Sequence, residues 1–486
     1  MTPFRPSPIF LPALIAAFLV LSACAPTDRY SYESIRAEYR ESGASSQDSA
    51  ATSSARSDAS RPFAGPISLA EAIRTALARN PDNQAAVARI RQAEAALDKA
   101  ESAFYPTVRL YTEYARADAP SAYLFKTIDQ RKLPPNTNFN DPDELTNYES
   151  GVATRWNLFN GGRDLLKRRM AETGLSATRL DRKSVENALV ASVIRAYYDA
   201  LAARGFIQIA EESVQTVDKQ LEIMRVRLEG GGALKSDVLS LEVRKAESEE
   251  EWVRRRNGYQ LALTALANVM GVPPEPPPRL AENGRLEMTM PDAAAGLDYA
   301  LANRPDLRRI RERVRQSRMG VDAARAGYLP TVDLQAQYYL DDEDAAYDLD
   351  RDNWQVALVL NWNLFTGFRT RSAVREASAR LSETLAMDRK TALGLRMDVK
   401  NAYLRLSEAE ARLRVTRRSV AAAEESLELV RRQFTGGAVS ITRFLEAELD
   451  RNRAKIRETA ARYDREKALA EIGRAIGYWA ETKRLR

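Results

Sequence analysis

Few residues of this chain could support catalytic chemistry. Its 486 residues include no histidine and a single cysteine, Cys24. Without histidine, acid–base catalysis by imidazole, Ser–His or Cys–His nucleophiles and imidazole metal sites are excluded. One cysteine can form neither an internal disulfide nor a cysteine-cluster zinc site, and no phosphate loop ending in Gly-Lys-Ser or Gly-Lys-Thr is present. The sequence therefore predicts no enzyme, no catalytic residue, no metal site and no cofactor.

The chemistry expected of Cys24 is lipidation. An apolar run over residues 9–21 has the length of a secretion-signal core and is too short to span a bilayer. It ends in Leu-Ser-Ala-Cys24, which resembles the bacterial lipobox, whose cysteine receives acyl chains such as palmitate and becomes the first mature residue. Because Ala25 follows rather than aspartate, this resemblance implies the outer membrane. We expect a signal peptide over 1–23 and a lipidated, flexible tether over 24–65; an ordinary signal peptide with an incidental cysteine is the alternative.

The charge pattern does not predict a nucleic-acid partner. The 73 Lys and Arg residues are interleaved with 67 Asp and Glu residues, which leaves a dispersed net charge of +6. Such interleaving along helical stretches is typical of helix faces exposed to water.

An internal duplication organises the chain. Trp-Asn-Leu-Phe occurs at Trp156–Phe159 and again at Trp362–Phe365, an offset of 206 residues. Pro-Thr-Val occurs at 106–108 and 330–332, an offset of 224 residues, so the first copy carries 18 additional residues between Val108 and Trp156. A regular repeat of this kind describes the architecture. We expect two structurally equivalent halves, the first with a longer loop.

Each half contains a pair of strands with the alternation of a membrane barrel. From Asn353 to Phe365 every second residue is apolar, and this period of two predicts a strand with one apolar face. Partner strands are expected near Thr107–Ala115 and Thr331–Tyr339. About 9–11 tilted residues suffice to cross a bilayer; a soluble hairpin packed on a core is the alternative. The residues predicted to face the membrane are Val152, Trp156, Leu158, Trp354, Val356, Leu358, Leu360, Trp362 and Leu364.

Four strands cannot close a barrel alone. Natural barrels need about eight strands, and open sheet edges are not tolerated in lipid. If these strands span a membrane, several chains must contribute to one barrel. The segments Arg116–Asn147 and Asp341–Asp352 would then be the loops at the outer surface.

Long helices follow each strand pair. No proline occurs between residue 163 and residue 272, so one helix can run over about Arg163–Glu229 and would be roughly 100 Å long. Glycines at 230–232 and 436–437 favour tight reversals into return helices at about Ser236–Met270 and Ser440–Ile476. A heptad-like seam predicts packing against a neighbouring helix: Ile207, Ala210, Val214, Val217, Leu221, Met224 and Leu228.

Taken together, these motifs resemble the TolC-like outer-membrane efflux proteins. The resemblance rests on the lipobox, the paired strands, the glycine turns and the duplicated Ala-Leu-x-x-x-Pro-Asp, Pro-Thr-Val and Trp-Asn-Leu-Phe motifs. It implies an α+β membrane protein whose homotrimer forms a 12-stranded β-barrel, four strands per chain, continued by an α-helical coiled-coil tunnel through the periplasm. The expected domains are repeats at 66–272 and 291–480, a Pro-rich linker at 273–290 and a tail at 481–486.

The resemblance also implies a function and its partners. The chain would be the outer-membrane exit duct of a tripartite efflux or export system, lipid-anchored in the outer membrane. Its partners would be outer-membrane lipids, a periplasmic adaptor protein and an inner-membrane pump or ABC transporter. Two alternatives stay open: the outer-membrane component of type I protein secretion, and a structural periplasmic coiled-coil lipoprotein.

In that family the glycine turns form the periplasmic tip of the tunnel and the following helix starts line its constriction. We hypothesise that Asp237, Arg443 and Glu446 form ion pairs between helices or chains that hold the tip closed. The family often has an aspartate where Arg443 stands, and a simple Arg443–Glu446 pair on one helix face is the alternative. The matching gate positions are Asp237, Ser240, Arg443 and Glu446, and the adaptor-docking turns are Gly231, Gly232, Ala233, Leu234, Gly437, Ala438, Val439 and Ser440.

Overall fold

The computed structural model describes residues 65–281, 291–344, 347 and 351–481. The predicted signal peptide, Cys24 and nearly all of the tether lie outside these residues. The first half contains α1 (Leu69–Arg79), α2 (Pro81–Glu101), β1 (Thr107–Ala117), α3 (Pro120–Asp129), β2 (Leu145–Phe159), α4 (Arg163–Glu229) and α5 (Lys235–Met270). The second contains α6 (Ala293–Asn303), α7 (Pro305–Arg325), β3 (Thr331–Asp342), β4 (Asp352–Asn361), α8 (Arg369–Thr435) and α9 (Ile441–Ile476).

The two halves repeat each other element by element. Helices α4 and α8 are both 67 residues long, and α5 and α9 are both 36 residues long. Only α3 has no counterpart among the described residues of the second half. It lies within the predicted long loop, where the first copy carries its additional residues.

The four strands form one antiparallel sheet in the order β1-β2-β3-β4. Because side chains alternate across a strand, the pairing of Val152 with Leu110 and with Tyr338 places these residues on one face. The large apolar side chains of this face are exposed in the chain, Leu110 at 82% and Trp354 at 73%. The opposite face is mainly polar. Strands β1 and β4 are the edges of the sheet: each pairs with one strand, and the outer edge of each has no strand partner in the described part of the chain.

Two of the predicted membrane-facing strand residues lie outside the sheet. Strand β4 ends at Asn361, so Trp362 and Leu364 follow the strand instead of belonging to it. Asn361 pairs with Thr331, and the residue before Thr331 is Pro330, which has no N–H to extend the ladder. In β2 the pairing skips Leu158, so that Phe159 lies opposite Val332.

The helical part has a repeated core. In the first half Tyr197 is fully buried and its hydroxyl donates to the carbonyls of Ile67 (3.1 Å) and Ala281 (3.0 Å); burial raises the pKa of this hydroxyl to about 12. The equivalent Tyr403 donates to the carbonyl of Pro291 at 2.8 Å. Each tyrosine thus fastens the long helix of its half to the segment at the start or end of that half.

The heptad-like seam is confirmed in part. Ala210, Val217, Leu221 and Met224 are buried, whereas Ile207, Val214 and Leu228 are half-buried. Helix α4 packs against both α5 and α9, so its apolar stripe is wider than the seam of a two-helix coil. Among the described helices, none combines the length and apolarity needed to cross a bilayer.

Candidate functional site

Both helical hairpins end in the same turn. Gly231 and Gly437 have φ values of 73° and 77°, a left-handed conformation that glycine adopts without steric cost. The N–H of Gly232 donates to Arg227 and that of Ala438 to Gln433, at 2.7 and 2.8 Å. With the Gly231–Leu228 and Gly437–Phe434 bonds, each turn forms a Schellman motif. The predicted docking turns are therefore two equivalent, backbone-fixed corners.

The turns differ in how the next helix begins. The side chain of Ser440 caps α9 by accepting from the N–H of Arg443 at 3.4 Å. At the equivalent place before α5 stands Leu234, which provides no side-chain cap and is 68% exposed. The first turn therefore presents an apolar side chain where the second presents a hydroxyl.

The predicted gate residues all lie near the tips of the helical hairpins, but they do not form one network of ion pairs. Arg443 Nη1 lies 3.4 Å from Glu446 Oε2, and both side chains are more than half exposed. Ser240 donates to the carbonyl of Ser236 at 2.9 Å. Within the described part of this single chain, no ion pair links Asp237 to Arg443 or Glu446. The pairing of Arg443 with Glu446 on one helix face is the simpler of the two arrangements considered from the sequence.

Behind the turns, the two hairpins share an apolar cluster. Phe434 and Phe444 stack with ring centroids 5.5 Å apart. Residues of α4, α5, α8 and α9 all contribute, so the tip of one hairpin is packed against the tip of the other. The buried members are Val217, Leu221, Met224, Val238, Leu241, Leu427, Val430, Phe434, Ile441, Phe444 and Ala447.

A buried polar network lies one turn further along α9. Glu448 is completely buried, and its carboxylate accepts from Ser213 Oγ (2.6 Å), from Arg244 Nη2 (2.9 Å) and from Asn452. The network joins α4, α5 and α9. This network was not predicted from the sequence. A signal was nevertheless present, because Ile441, Phe444 and Glu448 follow a 3,4 spacing. This spacing puts a charged residue where packing between helices favours an apolar one.

The polar face of the sheet forms a recess of about 360 Å³. Arg155 Nη2 lies 3.4 Å from Asp333 Oδ2, and Asn157 donates to Asp333 Oδ1 at 3.0 Å. The residues of the polar face with polar side chains that line the recess are Thr107, Arg109, Arg155, Gln335, Gln337 and Gln355.

The repeated tryptophans have the same role in both halves. Trp156 Nε1 donates to the carbonyl of Phe104 at 3.0 Å, and Trp362 Nε1 donates to that of Tyr328 at 3.1 Å. Each acceptor lies in the short 3₁₀ turn that precedes the paired strand. The Trp-Asn-Leu-Phe repeat therefore ties the exit of one strand to the entry of its partner, at the end of the sheet nearest the helices.

A sheet with an exposed apolar face, continued by paired long hairpins, defines a TolC-like channel protein. The sequence matches the family model for outer membrane efflux proteins over residues 72–272 and 296–478. The chain belongs to the outer membrane efflux protein family. It is an outer-membrane efflux channel, as the sequence predicted.

Individual relatives agree with this assignment. The pyoverdine export outer membrane protein OpmQ of Pseudomonas aeruginosa is 24% identical over 477 residues, covering 96% of each chain. Protein CyaE of Bordetella pertussis is 27% identical over 349 residues, covering 71% of this chain and 70% of CyaE. The crystal structure of CusC, described in connection with transmembrane channel formation, superposes with a TM-score of 0.73 at 16% identity, covering 85% of this chain and 92% of CusC. The predicted fold class is confirmed.

Proposed function

We propose that three copies of this chain close one 12-stranded barrel in the outer membrane and form the exit duct of a tripartite system. The observation that carries the proposal is the open sheet: the outer edges of β1 and β4 have no strand partner in the described chain, while one face is apolar and exposed. Unpaired backbone groups at such edges are costly in lipid. Pairing β4 of one copy with β1 of the next satisfies both edges and leaves the apolar face toward lipid.

The helical hairpins would extend this barrel into the periplasm as a tunnel. Their tips are the two Schellman turns, whose residues Gly231, Leu234, Gly437 and Ser440 are exposed in the described chain. We propose that a periplasmic adaptor docks on Gly231–Leu234 and Gly437–Ser440, with an inner-membrane pump or ABC transporter behind it. Leu234 would supply an apolar contact at the first turn only.

Gating is assigned to the helix starts behind these turns. We propose that Asp237, Ser240, Arg443 and Glu446 line the constriction and that their charged members hold the tip closed. The exposure of Arg443 and Glu446 leaves both able to exchange their mutual pair for partners on another chain. The two halves would then contribute unequally to the gate, because Asp237 in one corresponds to Arg443 in the other.

Two further proposals concern the N-terminus and the absence of catalysis. Lipidation of Cys24 would add an anchor in the outer membrane, worth about 0.8 kcal/mol for each acyl CH₂ buried. The family consists of channel proteins, and we propose that this chain has no enzyme activity, because it lacks histidine altogether. Energy for transport would come from the inner-membrane partner.

Reconstitution into planar lipid bilayers tests the proposed function. The purified protein should give discrete conductance steps, because a closed barrel carries ions through a water-filled lumen. A structural coiled-coil lipoprotein would give none. Protein that associates with the bilayer without producing steps would contradict the duct proposal.

A further inference from the structure

Helix α3, between β1 and β2, is folded over the polar face of the sheet. It lies at the sheet end opposite the long helices. Its neighbours on the strands include Glu149, Asp341 and Asn353, all of which belong to the polar face by the strand register. In a closed barrel this face lines the lumen. The helix therefore occupies the outer mouth of the lumen.

Lys126 fastens the helix to the sheet. Its Nζ lies 2.5 Å from Glu149 Oε2 and 3.0 Å from Asp341 Oδ1, and it sits 5.7 Å from the ring centroid of Tyr339. Burial would lower the pKa of Lys126, but hydrogen bonds to the two carboxylates outweigh burial and raise it. The ammonium group is thus held charged between two strands.

The row of carboxylates beneath α3 requires a nearby positive charge. Glu113, Glu149 and Asp341 lie directly opposite one another across β1, β2 and β3, and like charges in such positions destabilise a sheet. Asp341 is completely buried. Removing the partner of a buried charge is strongly destabilising, so the acidic row is compatible with the fold because α3 lies on it.

A second set of hydrogen bonds fixes the C-terminal end of the helix. Gln130 Nε2 donates to Asn147 Oδ1 at 2.7 Å, and Asn147 Nδ2 donates to Asp341 Oδ1 at 2.7 Å. Arg131 Nη2 donates to the carbonyl of Asp352 at 2.8 Å. These contacts reach from β2 to β4, so the end of α3 is fastened across most of the sheet.

The opposite side of α3 is apolar and uncovered. Phe125 is 66% exposed and Ile128 is 47% exposed, and their i,i+3 spacing puts them on one helix face. Because Lys126, Thr127 and Gln130 occupy the side toward the sheet, Phe125 and Ile128 project away from it, into the lumen. An apolar ring in a water-filled pore can act as a barrier by dewetting.

From this geometry we propose that α3 is a built-in constriction at the exit, in which Lys126 fastens the helix and Phe125 and Ile128 narrow the lumen. The inference rests on the proposed barrel, since three copies of α3 must face one axis. In the trimer, Phe125 and Ile128 of each copy would face the same two residues of the other two copies. This constriction is separate from the gate proposed at the helical tip.

Labelling from outside the cell tests the proposal. Gln335→Cys places a reporter thiol on the lumen face, six residues along β3 from Asp341 and so about 20 Å deeper. Intact cells are treated with either a small membrane-impermeant maleimide or one bearing a long polyethylene glycol chain. The native chain, with Cys24 alone, measures background.

The small probe should label the reporter with or without a change in α3. The long probe should fail on the otherwise native chain and succeed after Lys126→Met, which releases the helix, or after Phe125→Ser, which widens the opening without touching Lys126. Lys99→Met, an exposed lysine on α2, removes the same charge elsewhere and should leave the long probe excluded. Unheated gels of the outer-membrane fraction show that each variant assembles.

Two results would overturn the inference in different ways. Equal labelling by the long probe in the native and both α3 backgrounds would show that α3 does not narrow the exit, while leaving the barrel intact. No labelling by the small probe in any assembled variant would contradict the proposed barrel, and the constriction with it.

Discussion

Two ion pairs within two turns of α9 differ sharply in their surroundings. Arg443 and Glu446 are more than half exposed, whereas Glu448 is completely buried and Arg244 retains 14% exposure. Exposed pairs contribute about 0–1 kcal/mol, so the first can break and form at little cost. Breaking the second leaves a buried charge without a partner. The first pair is therefore suited to gating, and the second to fixing the packing of the hairpins.

The gate hypothesis predicts a change in conductance. In Arg443→Ala and in Glu446→Ala, loss of a charged partner at the tip should weaken its closed state and raise the mean single-channel conductance in planar bilayers. Arg380→Ala, which removes a similar but more exposed ion pair on α8, serves as the control. Conductance unchanged from the native protein in both tip variants would refute a role for these charges in closure.

The buried network predicts a loss of stability. In Arg244→Met, the carboxylate of Glu448 loses its ion-pair partner, and the free energy of unfolding should fall by about 3–5 kcal/mol. Urea unfolding of the helical circular-dichroism signal in detergent measures it. Glu376→Gln breaks an exposed pair and should cost at most about 1 kcal/mol; equal losses in the two variants would argue against the network.

At the residue scale, the sequence predicted where the turn residues lie better than it predicted which residues contact one another. The glycine turns follow from sequence because few residues other than glycine adopt a positive φ at a helix end. The carboxylates that bind Lys126, and the Ser213 and Arg244 partners of Glu448, are 23 to 235 residues away in the chain. Such contacts depend on strand register and hairpin packing, which local patterns do not encode.

At the scale of elements, the strands of the proposed barrel would alternate between lipid and lumen, and this alternation predicts a contrast between adjacent residues. Val356→Lys puts a charge on the apolar face near the middle of β4, at a cost of about 2–4 kcal/mol at the bilayer midplane. Ala357→Lys points to the lumen, where water solvates the charge. The first variant should be depleted from outer-membrane fractions as an assembled oligomer, and the second should assemble normally. Equal amounts of assembled oligomer would contradict the assigned faces.

Helix and strand pairs were largely predictable, and their ends were not. The absence of proline and the glycine turns predicted α4 and α5 closely. The end of β4 at Asn361 depends on Pro330, which immediately precedes the neighbouring strand β3. The position of α3 depends on contacts between Lys126 and carboxylates of β2 and β3. Both are tertiary effects that periodicity along one segment does not contain.

At the scale of the whole molecule, the duplication supplies four strands and two hairpins, and the open sheet requires other chains. Two copies would provide eight strands, about the smallest natural barrel, and three copies twelve. The proposed barrel therefore contains three chains, and its lumen and exit constriction depend on that number.

Native mass spectrometry of the protein extracted from outer membranes tests this statement most directly. We predict an assembly of three chains that conducts ions after reconstitution. Only pairing between copies provides hydrogen-bond partners for the outer edges of β1 and β4 while leaving the apolar face toward lipid. A conducting monomer or dimer would contradict the proposed three-chain barrel.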